Sequence, residues 1–404
     1  MHLVSNTLQI MPSLKQLFLS HVGQTSPAPL ALEITHAKGV FLFDKNGKDY
    51  IDLISGVSVA NLGHSNPVIT DAIKKQLDKY MHTMVYGELI QEPQVKFAEL
   101  LTKQLPASLN CVYFVNSGSE ATEVAMKLAK RYTGRQEIIS CKNAYHGSTQ
   151  GALSLIDDDY FTDKFQPLLP QIRHIGFNNF DDLELISEKT ACVIIEAVQG
   201  EAGVVLPKEN YLKILSEKCR DTGTLLIVDE IQTGFGRTGY LFAFQQFDII
   251  PDIILMAKSM GFGLPLGGVV ADKKIIDYFT FEPVLGHITT FGGNPVSCAS
   301  AYAGLSYLID NMNIIKNVDK KANLFREYLS LNKNIVEIRN SGLLMAVDLG
   351  SSELLFKTMK NLLNEGILSD WFLFNDHSFR ISPPLTISEK EIETACKRIL
   401  KCLN

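Results

Sequence analysis

Between about residues 60 and 295 of this chain, short apolar runs alternate with amphipathic stretches of helix length, the texture of βα units in a parallel sheet. Four runs stand out because each stops at a polar residue: Val112 to Val115 reaches Asn116, Ala191 to Ile195 reaches Glu196, Thr224 to Val228 reaches Asp229, and Ile253 to Ala257 reaches Lys258. Such runs read as buried strands. In an open α/β sheet, ligands bind outside the carboxyl ends of the strands, so these side chains are placed to converge on one crevice. Any single run, taken alone, reads as nothing more than a buried strand ending at the surface.

The flanks have a different texture. Gly39 to Asp44 and Asp49 to Leu53 bracket Lys45-Asn46-Gly47-Lys48, which predicts a hairpin whose Asn-Gly pair supplies the positive φ angles of a tight two-residue turn. After residue 296 come helices, a mixed hairpin region and a final helix from Ser388 to about Leu403 with Ile392, Ala395, Ile399 and Leu400 on one face. The expected organisation is α/β: residues 1–59 as an N-terminal segment of a small domain, 60–295 as a large domain with a mainly parallel sheet flanked by helices, and 296–404 as the α+β remainder of the small domain.

Composition removes several function classes. With 46% hydrophobic and 20% charged residues over 404 positions, the chain can bury a substantial core and is not disordered. Its 38 basic and 44 acidic side chains leave a net charge of −6, the wrong sign for gripping nucleic-acid phosphates. Seven cysteines, an odd number without a Cys-x-x-Cys pair, argue against a disulfide framework and a zinc ribbon, and reduced thiols fit a cytoplasmic location. The apolar stretches Leu8 to Met11 and Leu14 to Leu19 are broken by Pro12, Ser13, Lys15 and Gln16 before reaching the length of a signal core. No run approaches the roughly 20 apolar residues of a membrane helix, and no His-Glu-x-x-His spacing points to a metal.

Three features carry chemistry. Asn116-Ser117-Gly118-Ser119-Glu120 leads into a helix whose Ala121, Val124, Ala125, Leu128 and Ala129 share a face, and a helix N-terminus after a Gly-Ser turn is an anion site as well as an ordinary Ser cap. Gly234-Phe-Gly236-Arg-Thr-Gly239 spells Gly-x-Gly-x-x-Gly, yet it lies several residues past Asp229 and precedes no helix-like stretch, so it reads as a flexible loop and not a dinucleotide fingerprint. Lys258, at the end of an apolar run and before Gly261 and Gly263, would sit desolvated, which lowers a lysine's pKa and makes it a nucleophile towards carbonyls. An anion turn, a nucleophilic amine and the Asp229 carboxylate together suit a phosphorylated aldehyde cofactor: phosphate at Gly118 and Ser119, Schiff base at Lys258, and Asp229 holding a ring nitrogen protonated. Pyridoxal 5'-phosphate uses all three.

Phe-Val-Asn-Ser-Gly-Ser-Glu-Ala (114–121), Tyr-His-Gly (145–147), Glu-Ala-Val-Gln-Gly-Glu-Ala-Gly (196–203), Val-Asp-Glu-Ile-Gln-Thr-Gly-Phe-Gly-Arg-Thr-Gly (228–239), Ala-Lys (257–258) and Thr-Phe-Gly-Gly-Asn-Pro (290–295), with Leu-Gly-His-Ser-Asn-Pro at 62–67, resemble the class III, fold type I, pyridoxal-phosphate aminotransferases in order over nearly the whole chain. The resemblance implies that Gly118 and Ser119 hold the phosphate, Tyr145 stacks on the ring, Asp229 pairs with its nitrogen, Gln232 reaches its hydroxyl, and Lys258 is both attachment point and proton shuttle. It implies a homodimer in which the residue matched by Thr290 crosses to the partner's phosphate. Arg380, in Phe-Arg-Ile-Ser-Pro-Pro, resembles the arginine that binds a substrate carboxylate, and Glu201 the glutamate that covers it until 2-oxoglutarate binds. Tyr86 matches a region that contacts substrate.

The implied activity is a ping-pong transfer of an ω-amino group to 2-oxoglutarate. In acetylornithine and ornithine aminotransferases an arginine normally follows the aromatic-x-Gly unit, whereas here Ser148 does. That departure ranks donors such as 4-aminobutyrate ahead of those two. A decarboxylase or aminomutase on the same scaffold is the more distant reading.

Overall fold

The computed structural model describes residues 12–403; Leu8 to Met11 lie outside them. Its centre is a seven-stranded sheet built from β4 (Cys111–Val115), β5 (Glu137–Cys141), β6 (Ile172–Ile175), β7 (Thr190–Glu196), β8 (Leu225–Asp229), β9 (Ile253–Met256) and β10 (Gly267–Ala271) in the order β4-β10-β9-β8-β7-β5-β6. Only β10 runs against its neighbours, so the other strands share one direction and present their carboxyl ends along one edge.

Every residue of β7, β8, β9 and β10 is buried, the signature of a sheet covered on both faces. Alternate side chains divide between two layers. Cys192, Ile194, Ile227, Leu255 and Val269 meet the apolar face of the helix Gly118–Thr133, through Ala121, Val124, Ala125 and Leu128. Val193, Ile195, Leu226, Val228 and Ile254 meet Phe97, Leu101, Leu215 and Leu305 on the opposite side.

Two four-stranded sheets flank the large one. The first joins β1 (Ile34–Lys38), β2 (Phe41–Asp44) and β3 (Asp49–Asp52) to β13 (Ile367–Leu368), which pairs with β3 in parallel across more than three hundred residues. The second orders β11 (Glu337–Ser341), β12 (Leu344–Asp348), β15 (Asn375–Ile381) and β14 (Trp371–Phe372). One apolar cluster ties Val40, Ile51 and Leu53 to Phe325, Met345, Phe379 and the terminal helix Glu389–Leu403, whose Ile392, Ala395 and Ile399 point inward. Ser388 and Glu391 cap that helix reciprocally.

Two local expectations need correction. The β2–β3 connection is not a two-residue turn: only Gly47 has a positive φ (80°), and the loop spans Lys45 to Lys48. The cause is the Asp44 carboxylate, which accepts from the backbone N–H groups of Asn46 (2.8 Å) and Lys48 (3.0 Å) and so closes the loop through a side chain. The Gly234–Gly239 segment is a loop, but a buried one. Arg237 is 0% exposed and donates to the carbonyls of Leu343 (3.0 Å) and Pro383 (2.6 Å), to Ser55 Oγ (3.2 Å) and to Asn61 Oδ1 (2.6 Å). Burial pushes this guanidinium down to about 9.

Among the described residues no helix is long and apolar enough to cross a membrane, and no group of three His, Cys, Asp or Glu side chains is placed to hold a metal.

Arg237 bolts three separate stretches of chain together through one side chain. Arg237→Ala should therefore cost about 3 kcal/mol by stranding buried acceptors. Denaturant unfolding of the two proteins measures it, and a loss below about 1 kcal/mol would contradict the bolting role.

Candidate active site

The carboxyl edge of the large sheet opens into a cavity of about 400 Å³ lined by Gly118, Ser119, Tyr145, His146, Glu196, Glu201, Asp229, Gln232 and Lys258, among others. Its floor starts where β4 ends. Ser117 caps the helix Gly118–Thr133 by accepting from the Glu120 N–H (3.2 Å), and Glu120 reaches back to the Asn116 N–H (2.7 Å). Gly118 and Ser119, in the first turn, line the cavity, and two glycines there have no room for a larger side chain. A Cβ on Gly118 would lie 2.9 Å from Ile231 Cδ1, and one on Gly147, whose φ is +130°, would lie 2.2 Å from Ser119 Oγ. Ser119 Oγ in turn accepts from the Ser148 N–H (3.1 Å), and the Ser148 hydroxyl bonds the Tyr145 hydroxyl (2.9 Å).

Asp229 ends β8 and is 4% exposed; its Oδ1 accepts from the Ile231 N–H (2.9 Å) and its Oδ2 lies 2.7 Å from His146 Nδ1. Lys258 follows β9 and opens a single 3₁₀ turn with φ at 50°, outside the range a lysine prefers. Its side chain is half-buried and lines the cavity. That desolvation pushes the ammonium below the ordinary lysine value, reinforced by Arg380 and opposed by Glu201, Asp229 and Glu196. Ser259 secures the same turn by donating to the Ser58 carbonyl (2.6 Å). Ser58 belongs to a left-handed turn in which Ser55, Gly56, Val57 and Ser58 all have positive φ, at 48°, 63°, 59° and 61°. Strain of this kind persists where packing over-determines it, as it does beside functional sites.

Arg380 arrives from β15 and is 2% exposed. Its Nη2 donates to both oxygens of Glu201 (3.0 and 3.1 Å), its Nε to Asp370 Oδ1 (2.7 Å), and its guanidinium lies 4.5 Å from the Phe372 ring centroid. Nη1 is buried with no partner. Burial opposes ionisation of Glu201, but Arg380, Lys258 and the Gln232 amide (3.2 Å) outweigh it and hold the carboxyl below its usual range. Glu196 is the reverse case: burial pushes it up to about 7.

Gly118, Ser119, Tyr145, Glu201, Asp229, Gln232 and Lys258 thus share one cavity, and Arg380 joins through Glu201. Two expected residues lie elsewhere in this chain. Tyr86 lines a separate depression with Gln94, Phe114 and Thr289, and Thr290 is exposed outside the cavity. Sequence reasoning passed over His146 and Asp370. His146 sits inside the Tyr-His-Gly motif, so a signal was present; Asp370 belongs to no motif, and only the pairing of β14 with β15 brings it to Arg380.

Because Glu201 is held below the ordinary carboxylate value of 4.5, its stabilising pairing is present above that pH and is lost as pH falls through the depressed value. Glu201→Ala should cost about 3 kcal/mol at pH 7 by leaving Arg380 short of charge, and the gap to the parent should close in acid. Unfolding curves at neutral and acid pH check this, and a gap that stays constant would refute it.

The aminotransferase class-III family model matches residues 22–403 of the chain. Acetylornithine aminotransferase of Methanopyrus kandleri is 38% identical over 387 residues, covering 95% of this chain and 96% of that protein. Acetylornithine aminotransferase of Clostridium acetobutylicum is 38% identical over 371 residues, covering 89% and 92%. Among solved structures, the ornithine aminotransferase of Toxoplasma gondii, with PLP partly occupying its active site, superposes with a TM-score of 0.87 at 31% identity, covering 96% of this chain and 93% of that one. A mainly parallel sheet with a helix N-terminus, a lysine and a buried aspartate along its carboxyl edge is therefore a fold type I scaffold, and the chain belongs to the class III aminotransferases, enzymes that depend on pyridoxal 5'-phosphate.

Proposed function

We propose that this enzyme moves the terminal amino group of an N-acetylornithine-like ω-amino acid to 2-oxoglutarate, in ping-pong order and as a homodimer. The observation that carries the acceptor is the buried Glu201–Arg380 pair beside Lys258, with Arg380 Nη1 still unpartnered. A guanidinium with an unused donor suits a substrate carboxylate. The acetylornithine aminotransferases among the relatives support the donor, and reverse the order that Ser148 suggested. Ser148 still favours a second reading, a donor such as 4-aminobutyrate whose far end needs no arginine clasp.

The residues suit the cofactor. Gly118 and Gly147 keep the helix N-terminus open for a phosphate, Asp229 offers an acceptor for a protonated ring nitrogen, and Lys258 is an amine held below its usual pKa. Gln232 would reach the ring hydroxyl and Tyr145 would cover a ring face. Pyridoxal 5'-phosphate, when bound, supplies an aldehyde that condenses with amines and a ring that withdraws electrons from the amine-bearing carbon. Lys258 Nζ would hold the aldehyde and, once free, would carry a proton to and from the substrate carbon. Glu201 neutralises Arg380 while an ω-amino donor is bound and turns aside for 2-oxoglutarate. Thr290 of the partner subunit would complete the phosphate site, and Tyr86 would lie near that boundary. In this reading residues 60–295 form the cofactor domain and the two flanks the small domain.

Glutamate formation from 2-oxoglutarate, measured across acetylornithine, ornithine, 4-aminobutyrate and lysine, tests the assignment. Acetylornithine should give the highest kcat/KM; a preference for 4-aminobutyrate would support the second reading, and no glutamate from any ω-amino donor would refute both. Lys258→Ala should bind cofactor without covalent attachment and lose at least about 10²–10⁴-fold in turnover. Arg380→Ala should raise KM for 2-oxoglutarate about tenfold to a hundredfold while sparing the donor half-reaction, and equal damage to both halves would contradict its role.

A further inference from the structure

Arg380 is held by two carboxyl groups on different atoms of its guanidinium. Glu201 meets Nη2 with both oxygens (3.0 and 3.1 Å) and lines the cavity. Asp370 meets Nε with Oδ1 (2.7 Å) and stands outside the cavity lining. Nη1 has no partner. In this planar fork Nε and Nη2 share one edge, and Nη1 and Nη2 form the end. With Nε taken by Asp370, the end is what remains for an incoming carboxylate, and Glu201 stands on it.

The two carboxyls differ in how firmly they are tied. Asp370 is bound to Arg380 through its backbone as well, because its carbonyl accepts from the Arg380 N–H (2.9 Å), and Ser369 beside it donates its hydroxyl to the Arg380 carbonyl (2.7 Å). The strand that follows, β14, is secured by Trp371 packing edge-on against Phe356 (5.3 Å) and lays the Phe372 ring 4.5 Å from the guanidinium, a favourable place for a cation. Apart from Arg380, the Glu201 carboxylate has only the Gln232 amide (3.2 Å) and the Leu373 N–H (3.3 Å), both at the long end of hydrogen-bond lengths. Asp370 is therefore the fixed partner and Glu201 the exchangeable one. The Asp370 side chain is also 29% exposed against 9% for Glu201, so water screens part of its charge and leaves Arg380 attractive to a second anion. Burial works against the guanidinium's charge, but Glu201 and Asp370 outweigh it.

We propose that Asp370 is a positioning residue for Arg380: it keeps hold of Nε when Glu201 turns aside, so that the Nη1–Nη2 end of the fork stays in place for the substrate carboxylate and the guanidinium is never without a counter-charge. This rests on the reading of Arg380 as the 2-oxoglutarate site. Two physical gains follow. An end-on carboxylate can pair with both nitrogens at once, and holding Nε removes the competing side-on orientation across Nε and Nη2. A buried cation stripped of its only partner is strongly disfavoured, and Asp370 lets one carboxylate replace another without passing through that state.

The full-length holoenzyme tests this, with the two half-reactions followed separately by cofactor absorbance. Asp370→Ala should weaken 2-oxoglutarate about tenfold while leaving the ω-amino donor within about twofold, and Asp370→Asn, which keeps an acceptor for Nε, should recover most of the loss. Equal damage to both half-reactions, or an unchanged response to 2-oxoglutarate, overturns the proposal. Arg380→Ala tells its failure from that of the underlying reading: if 2-oxoglutarate is unaffected there too, the carboxylate site itself is misassigned, whereas if Asp370→Ala alone is silent, only the role of Asp370 falls. A crystal structure with glutarate, a dicarboxylate with no oxo group to react, decides without any variant. Its carboxylate should sit on Nη1 and Nη2 with Glu201 displaced and Asp370 still on Nε; a carboxylate on Nε with Asp370 displaced is equally fatal.

Discussion

The site rests on opposite charges held out of water at the carboxyl edge of one sheet. Arg380, His146, Asp229, Glu196 and Glu201 are buried there, and the half-buried Lys258 and Asp370 complete the set. Desolvating any one of these groups costs several kcal/mol, and none would remain charged there alone. They persist as a set because each has a partner: Arg380 has two carboxyls, Asp229 has an imidazole and a backbone N–H, and Lys258 has three carboxyls nearby that partly offset its burial. The set is not saturated: Arg380 Nη1, His146 Nε2 and Glu196 Oε2 are left without partners, and an unpaired polar atom in such a low-dielectric setting is costly.

The scaffold keeps that set in register from behind. β4, β7, β8 and β9 deliver Asn116, Glu196, Asp229 and Lys258 to one edge because both faces of the sheet are packed and no strand can slip without exposing its apolar side chains. Arg380 and Glu201 come from different parts of the chain, and the left-handed turn at Ser55–Ser58 ties Ser382, two residues past Arg380, to Ser259, next to the lysine. Ser55 donates to the Ser382 carbonyl (2.7 Å), Ser58 Oγ lies 3.2 Å from Ser382 Oγ, and the Ser58 carbonyl receives Ser259. Backbone strain at that turn is tolerated because Arg237 locks Ser55 and Asn61 to Leu343, just before β12, and to Pro383, just after β15.

The misreadings have a common cause. Asn46-Gly47 has the composition of a two-residue turn, and the Asp44 side chain overrode it by offering a closer pair of bonds. Three glycines around Arg237 suggested a flexible loop, and the guanidinium buried it. In both cases a side chain that pattern reasoning treats as surface polarity supplied the organising contacts. His146 and Asp370 escaped notice for the same reason, since their meaning lies in what they touch.

Apolar runs that stop at polar residues, a Gly-Ser turn before an amphipathic helix, and a lysine at a strand end are local patterns, and local patterns were enough for the α/β class and for Gly118, Ser119, Asp229 and Lys258 as members of one edge. They suffice because strand direction and helix caps are set by neighbours in the chain. Which carboxyl meets Arg380, which nitrogen of His146 meets Asp229, and how Glu196 comes to pair in register with Asp229 on the next strand depend on contacts between residues dozens to hundreds of positions apart. Those were decided by packing, because only the folded core removes the water that would otherwise satisfy each group separately.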